Sequence, residues 1–379
     1  MNTQNPVFNG NRMKLGTFCT NGKGPNLTTV PESYMATWPD TRKLAQMADV
    51  AGFEAIVPYS RWKGFVTGQP DDRTGNVMDP FTWAAAISAS TRYSAIFSTS
   101  HAPTYHPIVA AKQCATIDII SNGRFGLNVV GGWNRPELEM FGRPLQEHDQ
   151  RYDYLGEWLE IVSRLWQSDV AFDHHGKFFN VVDAVSAPKP VQRPRPPIMN
   201  AGGSPRGVRF AAQHADMCFV VLKGDDPATI AAQVNEYKDL ARQEFGREVQ
   251  VWSSAYVVQG ETDEQAQAYL HRYSVEHEDS VAADAWLKAL AAEAQLMPPE
   301  ALKAARSRFV AGAGGFPLVG TPETIVKRLS LLADGGIDGV VLTWVDFMDG
   351  LARFTRDVLP LMEAAGLRSK FGGGDVLAA

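Results

Sequence analysis

The run Asn200-Ala201-Gly202-Gly203-Ser204-Pro205-Arg206-Gly207 has the make-up of an anion cradle. Two glycines let the backbone approach a phosphate, and the helix that Pro205 opens offers free N–H groups and a positive dipole end. Ser204 adds a hydroxyl and a capping interaction. An ordinary helix start after a tight turn accounts for the same residues equally well. Arg151-Tyr152 can bring a cation and a phenol to one phosphate, or be a surface arginine and a packing tyrosine. His101 and His106 raise the question of a metal. Their spacing of five is not His-x-His, and neither His148, His174-His175 nor Asp346 completes a ligand set, so no metal is expected. There is no G-x-S-x-G elbow for a hydrolytic serine, and Glu137 and Asp149 are too isolated for a carboxylate pair.

These groups need elements to position them. Short apolar runs at 14–18, 53–58, 93–99, 124–130, 198–200, 217–222, 249–258 and 339–344 alternate with amphipathic stretches that read as helices. That rhythm predicts an α/β fold, a (β/α)8 TIM barrel, as a single domain over 1–379. A hairpin is expected around 173–176. Extra helices at 262–277 and 280–308 make 262–320 a helical insertion before the last strand, and 1–12 and 367–379 read as flexible tails. The rival is a doubly wound open sheet, but no G-x-G-x-x-G follows an early strand.

In a barrel, function gathers where strands end. Those positions are Ser60-Arg61, Thr99-Ser100-His101, Asn128 with Gly131-Gly132-Trp133, Gly202-Gly203-Ser204, and Trp344-Val345-Asp346. Polar and aromatic groups at these ends suit a large, partly aromatic, hydrogen-bonding ligand better than a bare metal. Trp133 and Trp344 are placed to flank a planar ring, or to pack in the core.

The bulk properties narrow the class. The 379 residues carry 36 basic and 42 acidic side chains, a net charge of −6, with no Lys/Arg cluster, which argues against nucleic acid or an anionic membrane as partner. No stretch approaches the roughly 20 apolar residues of a membrane span. Three cysteines without Cys-x-x-Cys fit a reducing compartment, and a polar start without an apolar run predicts no signal peptide, hence a cytoplasmic protein.

The stretch 115–133, reading ATIDIISNGRFGLNVVGGW, resembles the central signature of the bacterial-luciferase-like flavin monooxygenases. So do Arg151-Tyr152-Asp153-Tyr154, Pro188-Lys189-Pro190 and Leu318-Val319-Gly320-Thr321-Pro322-Glu323, and the likeness spans about 13–366. Lys63-Gly64-Phe65, the run from Gly132 to Glu137 and that from Leu342 to Phe347 are most similar to the members that open a pyrimidine ring. Members that oxidise sulfonates and sulfones are more distant. The resemblance implies a TIM barrel that takes reduced FMN from a separate NAD(P)H-dependent reductase and uses O2, through a flavin peroxide, to oxygenate a small organic substrate. An N-heterocycle or related amide is the expected substrate, and a homodimer or homotetramer the expected assembly. It places Ser60, Arg61, Asn128 and Glu137 on the flavin, Arg151, Tyr152 and Ser204 on its phosphate, and Thr99 with Asn128 at the oxygen, near Trp133. His101 is a proton carrier or a loop-bonding group. Residues 20–38 and 64–76 depart from the pyrimidine-opening pattern, and there the substrate pocket is expected to differ. An organosulfur or haloaromatic substrate, a deazaflavin-dependent dehydrogenase and a non-catalytic flavin-binding protein are the competing readings.

Overall fold

Nine parallel strands form one sheet in the computed structural model, which describes residues 5–66, 68, 72–289 and 299–372. In chain order they are β1 (Lys14–Phe18), β2 (Ala55–Val57), β3 (Ala95–His101), β4 (Phe125–Val130), β7 (Ile198–Asn200), β8 (Met217–Val220), β9 (Gln250–Gln259), β10 (Phe316–Gly320) and β11 (Gly339–Thr343). β5 (Phe172–His175) and β6 (Asn180–Ala184) form the expected hairpin apart from it. The order β11-β1-β2-β3-β4-β7-β8, with β9 pairing both β8 and β11, closes a ring of eight. Ring closure makes this a TIM barrel and excludes the open doubly wound sheet.

Capping chemistry sets where the helices begin. Asp79, Ser204, Asp226 and Thr321 each precede a proline and accept a backbone N–H from the first turn. Their helices are α2 (Pro80–Ser88), α6 (Pro205–His214), α7 (Pro227–Phe245) and, late in the chain, Pro322–Asp334. Proline loses nothing there because its missing N–H would be unpaired in any case. α1 (Trp38–Val50), α3 (Pro107–Ile120) and α5 (His148–Gln167) complete the early half, together with a short helix α4 (Arg135–Met140) that no periodicity announced.

Side chains alternate along each strand, so two cores arise. Ala55, Val57, Ala95, Phe97, Met199, Met217, Trp252 and Val341 fill the barrel interior, while Leu15, Ile56, Ile96, Leu127 and Val340 face the helices. In β3 and β4 the register sets Phe97 against Gly126 and Thr99 against Asn128. A Cβ on Gly126 would lie 2.4 Å from the Phe97 ring, so glycine makes room for it.

Two expectations need correction. The insertion over 262–320 is not wholly helical: it ends in strand β10, which pairs with the C-terminal half of β9 beyond its contact with β8. Its helices among the described residues are Asp263–His271, continued by a π-helical turn Arg272–Glu276, Ser280–Ala289 and Pro299–Gly312; residues 290–298 lie outside the description. The described parts of the two ends are also packed rather than loose. Val7 is fully buried inside the barrel bottom, and its carbonyl accepts a hydrogen bond of 2.8 Å from Gln250. Leu367 and Arg368 are buried as well; residues 1–4 and 373–379 lie outside the description. No helix among the described residues is long and apolar enough to cross a membrane.

The ends meet at one buried ion pair. Arg368 lies 3.4 Å from Glu54, whose carboxylate also accepts from Asn9, Asn11 and the Leu15 N–H. Removing one partner of such a pair leaves a charge in low dielectric. Arg368→Met is therefore expected to destabilise the protein by about 3 kcal/mol in urea unfolding. A loss below about 0.5 kcal/mol, the ordinary size for a surface change, would show the pair to be idle.

Candidate functional site

A cavity of about 360 Å³ opens at the C-terminal mouth of the barrel. Phe18, Val57, Met199 and Phe219 make its apolar walls, and a few polar groups interrupt them. This is the usual constitution of a small-molecule site. Strand alternation explains the polar groups: Phe97 points inward, so Thr99 and His101 two and four residues on do too. Asn128 stands in register beside Thr99.

Thr99 Oγ1 donates to the Pro58 carbonyl at 2.5 Å and accepts from Asn128 Nδ2 at 3.1 Å. The direction is forced. A carbonyl can only accept, so the threonine hydroxyl spends its hydrogen on Pro58, and the asparagine must offer its amino group. Asn128 Oδ1 is left buried with no hydrogen-bond partner, as is Ser60 Oγ. Buried polar atoms are nearly always paired in a folded protein, so these two mark where a ligand's polar atoms go.

Arg61 is held by stacking as much as by hydrogen bonding. Its guanidinium lies 4.0 Å from the Phe65 ring and 5.3 Å from Tyr59, and donates to the Thr74 carbonyl at 3.3 Å. Trp133 lines the same wall, with its ring 6.1 Å from that of Phe65. On the far side, Arg151 donates to the Gly132 carbonyl at 3.1 Å, while its Nε is buried without a partner. Tyr152 reaches the first turn of α6. A Cβ on Gly207 would stand 2.4 Å from its hydroxyl, so only glycine admits the approach.

Ser60, Arg61, Thr99, His101, Asn128, Trp133, Arg151 and Tyr152 thus meet around one cavity. Other candidates stand behind its described lining. Gly202 packs on Gly207, Gly203 has open space beside it, and Ser204 caps α6 by accepting from Gly207 N–H at 3.1 Å. Glu137 is buried: one oxygen lies 3.0 Å from His101 Nδ1, and the other accepts the Trp62 N–H. Burial alone would raise its carboxyl pKa, but His101, the Trp62 N–H and Arg61 prevail and hold it below the ordinary value.

Trp344 is not at this mouth. Val341 points into the barrel, so Trp344, three residues on, points out; it lines a separate cleft with Tyr269, Asp346 and Arg353. Residues unforeseen from the sequence also line the main cavity. Cys19, Lys23 and Tyr59 sit on the segments after β1 and β2, where no periodicity marks them, and Phe309 comes from the late insertion. Burial pushes the Cys19 thiol well above its usual range, which disfavours the thiolate. Among the described residues no His, Cys, Asp or Glu cluster could hold a metal.

Residues 13–339 match the family model described as luciferase-like monooxygenase. The chain belongs to that family. The pyrimidine monooxygenase RutA of Acinetobacter baylyi is 32% identical over 356 residues, covering 92% of this chain and 95% of that protein. Among solved structures, a riboflavin lyase (RcaE), with modified FMN and its substrate riboflavin, superposes with a TM-score of 0.82 at 24% identity. It covers 94% of this chain and 93% of its own. The long-chain alkane monooxygenase LadA gives 0.81 at 22%, covering 94% and 92%. These two likenesses confirm the fold. Family membership makes the protein a monooxygenase, and a flavin its cofactor.

The lowered Glu137 carboxyl has a defined pH signature. A group whose folded pKa is depressed stabilises the fold above its unfolded pKa, and that contribution fades as pH falls through the folded one. The difference in unfolding free energy between the wild type and Glu137→Gln is expected to be largest above pH 4.5, the ordinary value, and to shrink on acidification. A pH-independent difference would remove the contact with His101 from the account.

Proposed function

We propose that this chain is the oxygenase of a two-component system. It takes reduced FMN from a separate NAD(P)H-dependent flavin reductase and uses O2 to oxygenate a small N-heterocycle, such as a pyrimidine, or a related ring or amide. The balance is substrate, O2 and FMNH2 giving oxygenated substrate, FMN and water. The observation that carries the reading is the set of unpartnered buried atoms around one cavity: Ser60 Oγ, Asn128 Oδ1 and Arg151 Nε. With Trp133 on the same wall, they suit a flat ligand that carries several polar atoms. The curated relative named a pyrimidine monooxygenase supports the reaction class.

Reduced FMN, when bound, supplies two electrons and activates dioxygen. The chain's own residues do the rest. Arg151 and Tyr152 hold the phosphate at the start of α6, where the helix dipole favours negative charge. Ser60 and Arg61 bond the ring system, and Trp133 flanks it. Asn128 keeps one Nδ2 hydrogen free beside Thr99 and can donate it to oxygen without titrating. His101, steadied by Glu137, presents its other ring nitrogen for proton transfer. The walls of Phe18, Val57, Met199 and Phe219 keep water out. α3 leaves Ile108, Val109, Ile119 and Ile120 exposed, and we assign that face to a homo-oligomeric contact.

Anaerobic titration with FMNH2 tests the core of this reading; saturable binding is expected, and its absence refutes it. Oxygen uptake with a reductase present, screened over N-heterocycles, organosulfur compounds and haloaromatics, then identifies the substrate class. Asn128→Ala should retain the fold while oxygen transfer falls about a hundredfold and hydrogen peroxide release rises. Unchanged coupling would take Asn128 out of the chemistry. Arg151→Ala should weaken FMN by about tenfold and riboflavin hardly at all, because only FMN carries the phosphate. Equal losses would put the phosphate elsewhere.

A further inference from the structure

Three cations line the cavity, Lys23, Arg61 and Arg151, and no carboxylate does among its described residues. Arg151 lies at the α6 end, and Arg61 is engaged by Thr74, Phe65 and Tyr59. Lys23 has no comparable engagement. It is 3% exposed, on the segment that follows β1. Its backbone is pinned: its N–H donates to the Asn76 carbonyl at 3.2 Å, and its carbonyl accepts the Tyr59 hydroxyl at 2.8 Å. The closest anion to its amine is one oxygen of Asp279 at 4.0 Å, beyond hydrogen-bond reach. The other Asp279 oxygen accepts from the Ala282 N–H at 3.0 Å. Burial depresses the amine's pKa, and Arg73 and Arg61 add to the effect against Asp279 and Asp72.

Place decides what this charge is for. In the ring, β1 stands four strands from β7 in either direction, so Lys23 enters the mouth opposite the start of α6. A phosphate held by Arg151 and Tyr152 is therefore not its counter-ion. An ammonium on so buried a residue, whose ion pair with Asp279 is as long as 4.0 Å, is a standing cost to the fold, and a ligand carboxylate at the cavity would offset it.

We propose that Lys23 seats a carboxylate of the substrate, so that the preferred substrate is an organic acid, a heterocycle or amide bearing a carboxylate, rather than a neutral ring. This rests on the flavin reading above and narrows it. Lys23 orients the substrate and takes no part in oxygen transfer.

Matched ligand pairs test the idea on the FMN-loaded protein: orotate against uracil, nicotinate against nicotinamide, benzoate against benzamide, each followed by calorimetry. At least one carboxylate should bind about tenfold or more tighter than its neutral partner. Lys23→Met should abolish that preference, and Lys23→Arg should restore part of it. Failure of all three carboxylates to bind, or a preference intact in Lys23→Met, overturns the proposal. FMN affinity separates the two readings. Unchanged FMN binding in Lys23→Met is expected, whereas a tenfold loss makes Lys23 a flavin ligand and overturns this inference alone. Absence of flavin binding in the wild type defeats the function proposed above. Thermal unfolding of the flavin-free protein adds a readout independent of any ligand. Lys23→Met should melt no lower than the wild type, and a lower melting temperature would make the lysine structural and overturn the proposal.

Discussion

The pairing of Thr99 with Asn128 is the contact on which the site depends. It ties the ends of three consecutive strands, because Thr99 also bonds the Pro58 carbonyl just beyond β2. Its polarity is set by the peptide: the carbonyl accepts, the hydroxyl donates and then accepts, and the amide donates. One layer below, the Phe97 ring occupies the space that Gly126 leaves. A slip of one residue would turn Thr99 outward and drive Phe97 against a side chain. Apolar packing in the lower layer therefore fixes the geometry of the polar layer above it.

Much of this was legible in the residues, for identifiable reasons. Asp79-Pro80, Ser204-Pro205 and Thr321-Pro322 announce helix starts by a local mechanism that tertiary packing does not override. β10 escaped because five residues, FPLVG, follow a long helical stretch and end in a Thr-Pro cap that reads as the next helix. At the site, topology alone brings strand ends together, so Ser60, Thr99, His101 and Asn128 were readable in advance. Trp344 shows the limit of counting ends without parity: an inward Val341 sends it outward. Lys23 and Phe309 come from a loop and an insertion, where neither period nor cap records which side chain faces the cavity.

Charge is arranged with the same economy. Glu137 is drawn away from the described lining and satisfied by His101 and the Trp62 N–H, so that it steadies a ring nitrogen without opposing an anionic ligand. Of the three cations that line the cavity, Arg61 is engaged by Thr74, Phe65 and Tyr59, and the other two are separated across the mouth, Arg151 toward α6 and Lys23 on the side of β1. A ligand with one negative end would satisfy only one of them. Two negative ends, or two ligands, satisfy both.

The loop that carries Lys23 is joined to the late insertion by main-chain bonds. Leu27 N–H meets the Val310 carbonyl at 3.0 Å, Thr29 N–H the His277 carbonyl at 2.8 Å, and Asp279 N–H the Leu27 carbonyl at 3.0 Å. Phe309 stacks on Trp286 of the insertion at 3.6 Å and also lines the cavity. The outer wall is thus one assembly of loop and insertion, while Thr99 and Asn128 sit on paired strand ends. Residues in that wall can vary with little strain on Thr99 or Asn128, since β3 and β4 make none of these bonds. A barrel divided in this way can change its outer wall while leaving the strand-end groups in place.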